Sequence, residues 1–320
     1  MAWYLYILIF IFSSFILSWL SSMLIASLIN VAKYLRWKEF VIAFFVMAFA
    51  ASLPNLFVDL SAVFHGMPEL ALGDIIGGNL IDLTLVLAVA VFFSRNGFSV
   101  RSEMVQKSAI FTSIIAVLPL VLIFDKRLDR IDGVILISAF IFYSWWLFSK
   151  KERFKKTYAG TDKKFVRGFK SFLINVAKIA VLLVLLLVAS QAVVGSAQFF
   201  SNTLGISLSL VGILIIGLGN CFPEMYFSII SARKEENWLV LGDLMGSVII
   251  TSTLVLGIIA LTSPFVVRDI SPFFIARIFL VVGSVCALIF IRSGKKVTKK
   301  EGLMLLAIYV IFLITEIFII

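Results

Sequence analysis

Ten apolar segments follow one another along the chain, each close to the length that a helix needs to cross a membrane. Such a helix requires about 20 apolar residues. With 62% hydrophobic and only 14% charged residues, the chain has too few polar groups to cover a soluble domain. The pattern predicts an all-α integral membrane protein with ten transmembrane helices. The predicted spans are 3–32, 40–63, 69–93, 105–124, 132–149, 170–200, 206–231, 238–263, 271–291 and 302–320.

Basic residues fall mainly in the loops on one side of the predicted membrane. Most of the 28 Lys and Arg residues lie there. The loops of the other side hold Lys126, Arg127, Arg130 and Arg268. Because cytoplasmic loops accumulate Lys and Arg, we expect a multi-pass protein of the cell (inner) membrane, with both termini outside and loop 150–169 in the cytoplasm. The net charge of +10 therefore orients the chain and does not indicate a nucleic-acid partner.

An internal repeat appears when the sequence is shifted by 169 residues. The shift aligns Pro54 with Pro223, Leu-Gly-Asp at 72–74 with the same triplet at 241–243, and Thr-Leu-Val-Leu at 84–87 with 253–256. Each copy covers five spans, so the second copy enters the membrane from the opposite face, an arrangement typical of transporters. The sequence predicts a 5+5 inverted repeat: first repeat 1–149, basic linker 150–169 and second repeat 170–320.

Spans 2 and 7 each contain a proline in mid-membrane, Pro54 and Pro223. Proline lacks an N–H and clashes with the preceding helical turn, so we expect both helices to be broken and the carbonyls near Ala48 and Gly217 to be freed. At membrane depth, free carbonyls are tolerated only where protein, water or an ion satisfies them.

Spans 3 and 8 carry polar and small residues at four-residue spacing, which places them on one helix face. They are Asp74, Gly78 and Asp82 in span 3, and Asp243, Ser247 and Thr251 in span 8. Buried carboxylates are costly in a bilayer unless paired, and no Lys or Arg lies near Asp82 or Glu224 in the sequence. A hard cation such as Ca²⁺ or Na⁺ is the expected partner of these oxygen donors. For Asp74 and Asp243, a water-exposed position near a helix end explains the residue equally well.

The low numbers of histidine and cysteine residues exclude several other kinds of site. A single histidine, His65, and two separated cysteines, Cys221 and Cys286, exclude the usual zinc sites and disulfide frameworks. No nucleophile and base can be paired from the motifs, so we do not expect an enzyme.

At these positions the chain resembles the sodium/calcium exchanger and wider cation/Ca²⁺ antiporter family. In that family, each of the two repeats carries a G-T-S-x-P-E-like break followed by a G-N-x-x-G-S-N-like helix. The resemblance implies that Glu224 is the acid after the second proline and that Asn55 stands in the place of the first. Asp82 and Thr251 occupy the deep positions of spans 3 and 8. Ser52 and Ser247 match family serines, and Asn220 replaces a threonine.

Two differences from the family pattern concern charge. Only one of the two acids after proline is retained, and Asp82 stands where Asn is common. As a hypothesis, Asp59 compensates, because it lies one turn after Asn55 on the same face. The alternative is that Asp59 faces the outer vestibule or binds a neighbouring Ser. The candidate cation ligands are Glu224, Asp82, Asn55, Ser52, Asn220, Ser247, Thr251, Asp59, Ala48 and Gly217.

The resemblance implies a secondary active antiporter that exchanges Ca²⁺, or a similar hard cation, for Na⁺ by alternating access at a midplane site. Spans 1 and 6 would slide against the repeat core, and no resident cofactor is expected. Two alternatives stay open: an H⁺-coupled cation exchanger, and a cation-binding channel or regulator without antiport. K⁺ is a further candidate driver. The ion pair, stoichiometry, direction and oligomeric state are not fixed by the sequence.

Overall fold

The computed structural model describes residues 3–34, 49, 52–95, 98–100, 103–149, 169–267, 273–294 and 296–319. The helices are α1 (Trp3–Tyr34), α2 (Leu53–Phe64), α3 (Pro68–Phe93), α4 (Glu103–Leu122), α5 (Arg130–Ser149), α6 (Phe169–Leu204), α7 (208–220), α8 (Phe222–Arg233), α9 (Asn237–Thr262), α10 (Phe274–Ser293) and α11 (Lys299–Ile319). The short strands are β1 (Phe98–Ser99), β2 (Arg127–Leu128), β3 (Phe265–Val266) and β4 (Lys296–Val297). π-Helical turns at Asp82–Val86, Val211–Ile216 and Ile250–Val255 interrupt α3, α7 and α9.

Membrane-spanning length is reached by nine helical segments within the described ranges, α7 and α8 together forming one of them. The shorter apolar helix α2 is the described part of the predicted second span, whose first half lies mostly outside the described residues. The predicted all-helical, multi-pass membrane protein is therefore confirmed.

The backbone repeats its turns at the spacing found in the sequence. Gly66 and Glu235, which are 169 positions apart, both adopt the left-handed conformation, with φ of 74° and 61°. The residues that follow them, Met67 and Glu236, each donate an N–H to the carbonyl five residues earlier at 2.9 Å. The turn after α2 and the turn after α8 thus share the same backbone conformation and hydrogen bond.

The two small sheets join the two repeats. β1 pairs antiparallel with β4, and β2 pairs antiparallel with β3. Exchanging the repeats relates the two ladders, since β2 and β4 lie 169 residues apart and β1 and β3 lie 167 apart. This pairing confirms the 5+5 inverted repeat. The outer boundaries of the repeats stay predictions, because 150–168 lies outside the described residues and α6 begins at Phe169.

Helices α1 and α6, the two longest, pack lengthwise in opposite directions. The ring of Tyr6 stacks on that of Phe199 with centroids 3.7 Å apart. Near the other end, Asn30 Nδ2 donates to Asn175 Oδ1 at 3.3 Å. Positions 6 and 175, like positions 30 and 199, are related by the repeat, so the two contacts are symmetry mates.

Glycines let α3 and α7 cross at backbone contact. A Cβ added at Gly77 would lie 2.7 Å from the Cα of Ile213, and one added at Gly212 would lie 3.0 Å from the Cα of Gly73. Small residues permit this approach between membrane helices. The crossing brings the middle of α3 beside the end of α7, where the polar residues of the two helices meet.

Candidate functional site

A small cavity, here called the inner cavity, lies where α2, α3 and α9 meet the break between α7 and α8. Its volume is about 10 Å³, which is room for about one water-sized particle. Most of its lining residues are polar. They include Asn55, Asp59, Asp74, Asp82, Ser247 and Thr251.

The spacing of these residues along their helices places their side chains on the helix faces that line the cavity. Asn55 and Asp59 are one turn apart on α2, and Ser247 and Thr251 are one turn apart on α9. On α3 the predicted face is present, with Gly78 and both flanking acids lining the cavity. The four-residue spacings in the sequence therefore correspond to real shared faces.

Asp82 stands at the start of the π-helical turn of α3 and is 2% exposed. Cys221 and Ser247 lie within hydrogen-bonding reach of its carboxylate. Its Oδ1 has no hydrogen-bond partner among the described residues. The Oδ1 oxygen is thus buried without a protein donor among the described residues, which is costly for an ionised carboxylate.

Asn79 links the two repeats beside the cavity, and the sequence reasoning missed it. Its Oδ1 accepts from Thr251 Oγ1 at 2.8 Å, and its Nδ2 donates to Ser252 Oγ at 2.7 Å. The signal was present, because Asn79 occupies the final Asn of the G-N-x-x-G-S-N-like helix. The Thr251 oxygen retains lone pairs that can still face a cation.

A larger cavity of about 330 Å³, here called the cleft, extends from the break between α7 and α8 to the turn between α8 and α9. Asn55 lines both cavities and therefore lies where they adjoin. Glu224 is 4% exposed, and its Oε2 has no hydrogen-bond partner in the described ranges. Serines of α1 form the opposite wall of the cleft. The lining includes Ser14, Ser18, Ser22, Asn220, Glu224 and Asp243.

The repeat mates Asp74 and Asp243 lie in different environments. Asp74 is 3% exposed, and its Oδ2 accepts a hydrogen bond from Asn220 Nδ2 at 2.7 Å. Asp243 is partly exposed and lines the cleft. The alternative of a water-exposed position is therefore wrong for Asp74, because the close α3–α7 crossing buries it. The cavity beside α2 and α3 is thus small and enclosed, while the cavity beside α8 and α9 is large.

Asp59 is fully buried. It lines the inner cavity, and neither carboxylate oxygen has a hydrogen-bond partner among the residues described. The alternatives of an outer-vestibule position and of a bond to a neighbouring Ser are both wrong in this structure.

The Gly217 carbonyl is not freed, contrary to expectation, since it accepts from the Cys221 N–H at 3.2 Å. The N–H that Pro223 lacks would have bonded four residues back, at Gly219, so Gly217 keeps its helical partner. Ser52 is buried immediately before α2, outside the linings of both cavities. Ala48 lies outside the described residues. The remaining candidates line one or both cavities.

Negative charge dominates this region. The carboxylates of Asp82, Asp243 and Asp74 lie close enough to repel that of Glu224. Among described residues lining the two cavities, Lys234 alone is basic, and it lies at the exposed end of the cleft. In the described part of the chain, no three His, Cys, Asp or Glu side chains converge as a metal cluster. A bound cation would therefore need amide, hydroxyl or carbonyl oxygens as well.

Comparison with known proteins identifies the family. The profile of the sodium/calcium exchanger protein family matches residues 5–149 and again residues 174–318, at the spacing of the repeat. The inner membrane protein YrbG of Escherichia coli is 27% identical over 282 residues, covering 85% of each chain. The sodium/calcium exchanger MaX1 of Methanosarcina acetivorans is 23% identical, covering 92% of this chain and 93% of its own.

A solved structure supports the same fold. The sodium-calcium exchanger NCX_Mj, from crystals soaked with Na⁺ and Sr²⁺, superposes with a TM-score of 0.65. The match covers 98% of this chain and 99% of that one at 22% identity. With both repeats matched by one family profile, the chain belongs to the sodium/calcium exchanger protein family of membrane transporters.

Proposed function

We propose that the protein is a secondary active antiporter that exchanges Ca²⁺, or a similar hard cation, for Na⁺ at the inner cavity and the adjoining end of the cleft. The observation that carries this proposal is the inner cavity itself. Three carboxylates, from Asp59, Asp74 and Asp82, surround it, and its described lining includes no basic residue. Uncompensated carboxylates at membrane depth are costly, and a cation removes that cost.

The proposed ligands combine carboxylate, amide and hydroxyl oxygens. Such a set suits Ca²⁺ and Na⁺ rather than softer metals. The similar proteins MaX1 and NCX_Mj, both named sodium/calcium exchangers, agree with this ion pair. The proposed ligands are the candidates that line one or both cavities: Glu224, Asp82, Asn55, Asn220, Ser247, Thr251 and Asp59.

Coupling follows from the charge and size of the site. A cavity with room for about one water-sized particle cannot hold two competing ions at one position, so Ca²⁺ and Na⁺ exclude each other. An empty site would have to close with its carboxylates uncompensated, which is unfavourable in a low dielectric. The empty protein therefore changes conformation rarely, and exchange is favoured over leak.

Alternating access is proposed from the asymmetry of the two pathways. The structure has the cleft on the α8–α9 side, while Asp74 and Asn220 bond across the mated pathway. Helix α1 walls the cleft and packs along α6, so sliding of this pair would close one pathway and open the other. With the topology derived from basic residues, the cleft faces the cytoplasm of an inner-membrane protein, as does loop 150–169, and both termini lie outside.

Transport into proteoliposomes tests the coupling. We expect rapid ⁴⁵Ca²⁺ uptake when vesicles loaded with Na⁺ are diluted into choline medium, and little uptake with equal Na⁺ on both sides. The same vesicles with a K⁺ gradient or a pH gradient provide the comparison. Uptake driven by pH alone would establish the H⁺-coupled alternative. Equilibration without any counter-ion would indicate a channel.

A further inference from the structure

Asp59 on α2 and Asp74 on α3 form a carboxyl pair outside the positions that the family resemblance assigns. The two side chains lie within hydrogen-bonding reach of each other, and they are 0% and 3% exposed. Ionised carboxylates are acceptors only. Two of them in contact, away from water, therefore require something positive between or beside them.

The oxygens of this pair are largely uncommitted. Both oxygens of Asp59 and the Oδ1 of Asp74 have no hydrogen-bond partner in the described structure. The fourth oxygen, Asp74 Oδ2, accepts from Asn220. Both acids line the inner cavity together with the Asn55 amide. Three unpartnered carboxylate oxygens and an amide thus belong to residues that line one small cavity, and carboxylate and amide oxygens are ligands suited to a hard cation.

The second repeat lacks this pair. The shift of 169 residues aligns Ser228 with Asp59 and Asp243 with Asp74 in the sequence. Ser228 is neutral, and Asp243 is partly exposed in the cleft. The second repeat therefore supplies one partly exposed carboxylate, where the first supplies two buried ones.

The pair also replaces the negative charge that is missing directly after the proline of α2. Asn55 is neutral at the position where the second repeat has Glu224. Asp59 lies four residues further along α2, about 6 Å along the helix axis. The negative charge is thus moved one turn, away from Glu224 and toward Asp74.

We propose that Asp59 and Asp74 form a second cation position on the first-repeat side of Asn55, which a hard cation occupies in alternation with the position at Asp82 and Glu224, because the inner cavity has room for about one water-sized particle. The position has no equivalent in the second repeat. The inference rests on the proposed function for the choice of Ca²⁺ and Na⁺ as the ions to test.

Equilibrium binding of ⁴⁵Ca²⁺ to purified protein in Na⁺-free detergent solution tests the second position. Asp74→Asn keeps an acceptor oxygen for Asn220 and removes the charge. We expect this variant and Asp59→Asn to bind Ca²⁺ about 10–100-fold more weakly, at least the loss typical of altering a metal's outer shell. Asp243→Asn, the repeat mate, should lose less affinity, because hydration of the cleft already screens its charge.

Glu316→Gln is the matched control, since Glu316 is also fully buried with both oxygens unpartnered among described residues, but lies outside the linings of both cavities. It should bind Ca²⁺ as the wild type does. Asp74→Glu, which restores the charge, should recover most of the affinity lost in Asp74→Asn and so distinguish a ligand from a packing residue.

Wild-type Ca²⁺ affinity in both Asp59→Asn and Asp74→Asn would overturn the second position, the pair then being satisfied by a shared proton. Antiport at Glu224 and Asp82 would still stand if Na⁺-driven uptake persisted in the wild type. Conversely, weakened binding in these variants without Na⁺-driven exchange in the wild type would support the second position and refute the proposed function.

Discussion

Replacing Glu224 with Gln is expected to abolish Na⁺-driven ⁴⁵Ca²⁺ uptake, lowering its initial rate roughly 100-fold, since losing one member of a buried charge pair costs about 2–5 kcal/mol. Glu224 is the acid of the α7–α8 break. It lines the cleft together with Asn55, and its Oε2 has no hydrogen-bond partner among the described residues. Gln keeps the shape of the side chain and removes its charge. The loss therefore reports the missing carboxylate and not a disturbed helix break.

Proteoliposomes containing equal amounts of folded variant and wild type provide the measurement, with Na⁺, K⁺ and pH gradients applied in turn. Glu316→Gln serves as the control, because it removes a buried carboxylate elsewhere in the bundle. Undiminished exchange in Glu224→Gln would remove Glu224 from the transport site. If the variant loses Na⁺-driven uptake but still exchanges Ca²⁺ on one side of the membrane for Ca²⁺ on the other, Glu224 is needed for coupling to Na⁺ and not for Ca²⁺ transport itself.

The sequence predicts the spans and the repeat because both depend on local or periodic information. Apolar length identifies the spans. The shift of 169 residues anticipates the matching turns at Gly66 and Glu235. Four-residue spacing also places Asp82 and Thr251 on faces that do reach the inner cavity. These properties survive folding, because a helix fixes which of its residues share a face.

What the sequence does not predict depends on contacts between helices. Asp74 is buried because α3 crosses α7 closely enough to meet Asn220. Asn79 is needed because Thr251 and Ser252 approach it from the opposite repeat. Spacing along one helix contains neither contact. Glu224 lines the cleft and not the inner cavity. This position likewise depends on how the helices pack, since the two repeats are similar in sequence but border cavities of different size.

The close crossing of α3 and α7 gives the second large prediction: Gly77→Ala should destabilise the protein and impair exchange. A methyl group at Gly77 would overlap the Ile213 carbonyl oxygen and lie 2.7 Å from its Cα. These are backbone atoms, so no side-chain rotation relieves the overlap, and the two helices must separate. Overpacking of this kind costs about 1–3 kcal/mol. Separation of the helices would also lengthen the hydrogen bond from Asn220 to Asp74, which the proposed mechanism needs to close one pathway.

Thermal unfolding in detergent and transport by the same preparation test this prediction together. Gly77→Ala should unfold several degrees below the wild type and exchange Ca²⁺ more slowly. Gly195→Ala on α6 is the matched control, because no heavy atom of the described residues outside its own helix lies within 4 Å of the added Cβ. There alanine favours the helix over glycine, so stability should be unchanged or slightly raised. If the two variants unfold at the same temperature, glycine is not required at the crossing, and the burial of Asp74 needs another cause.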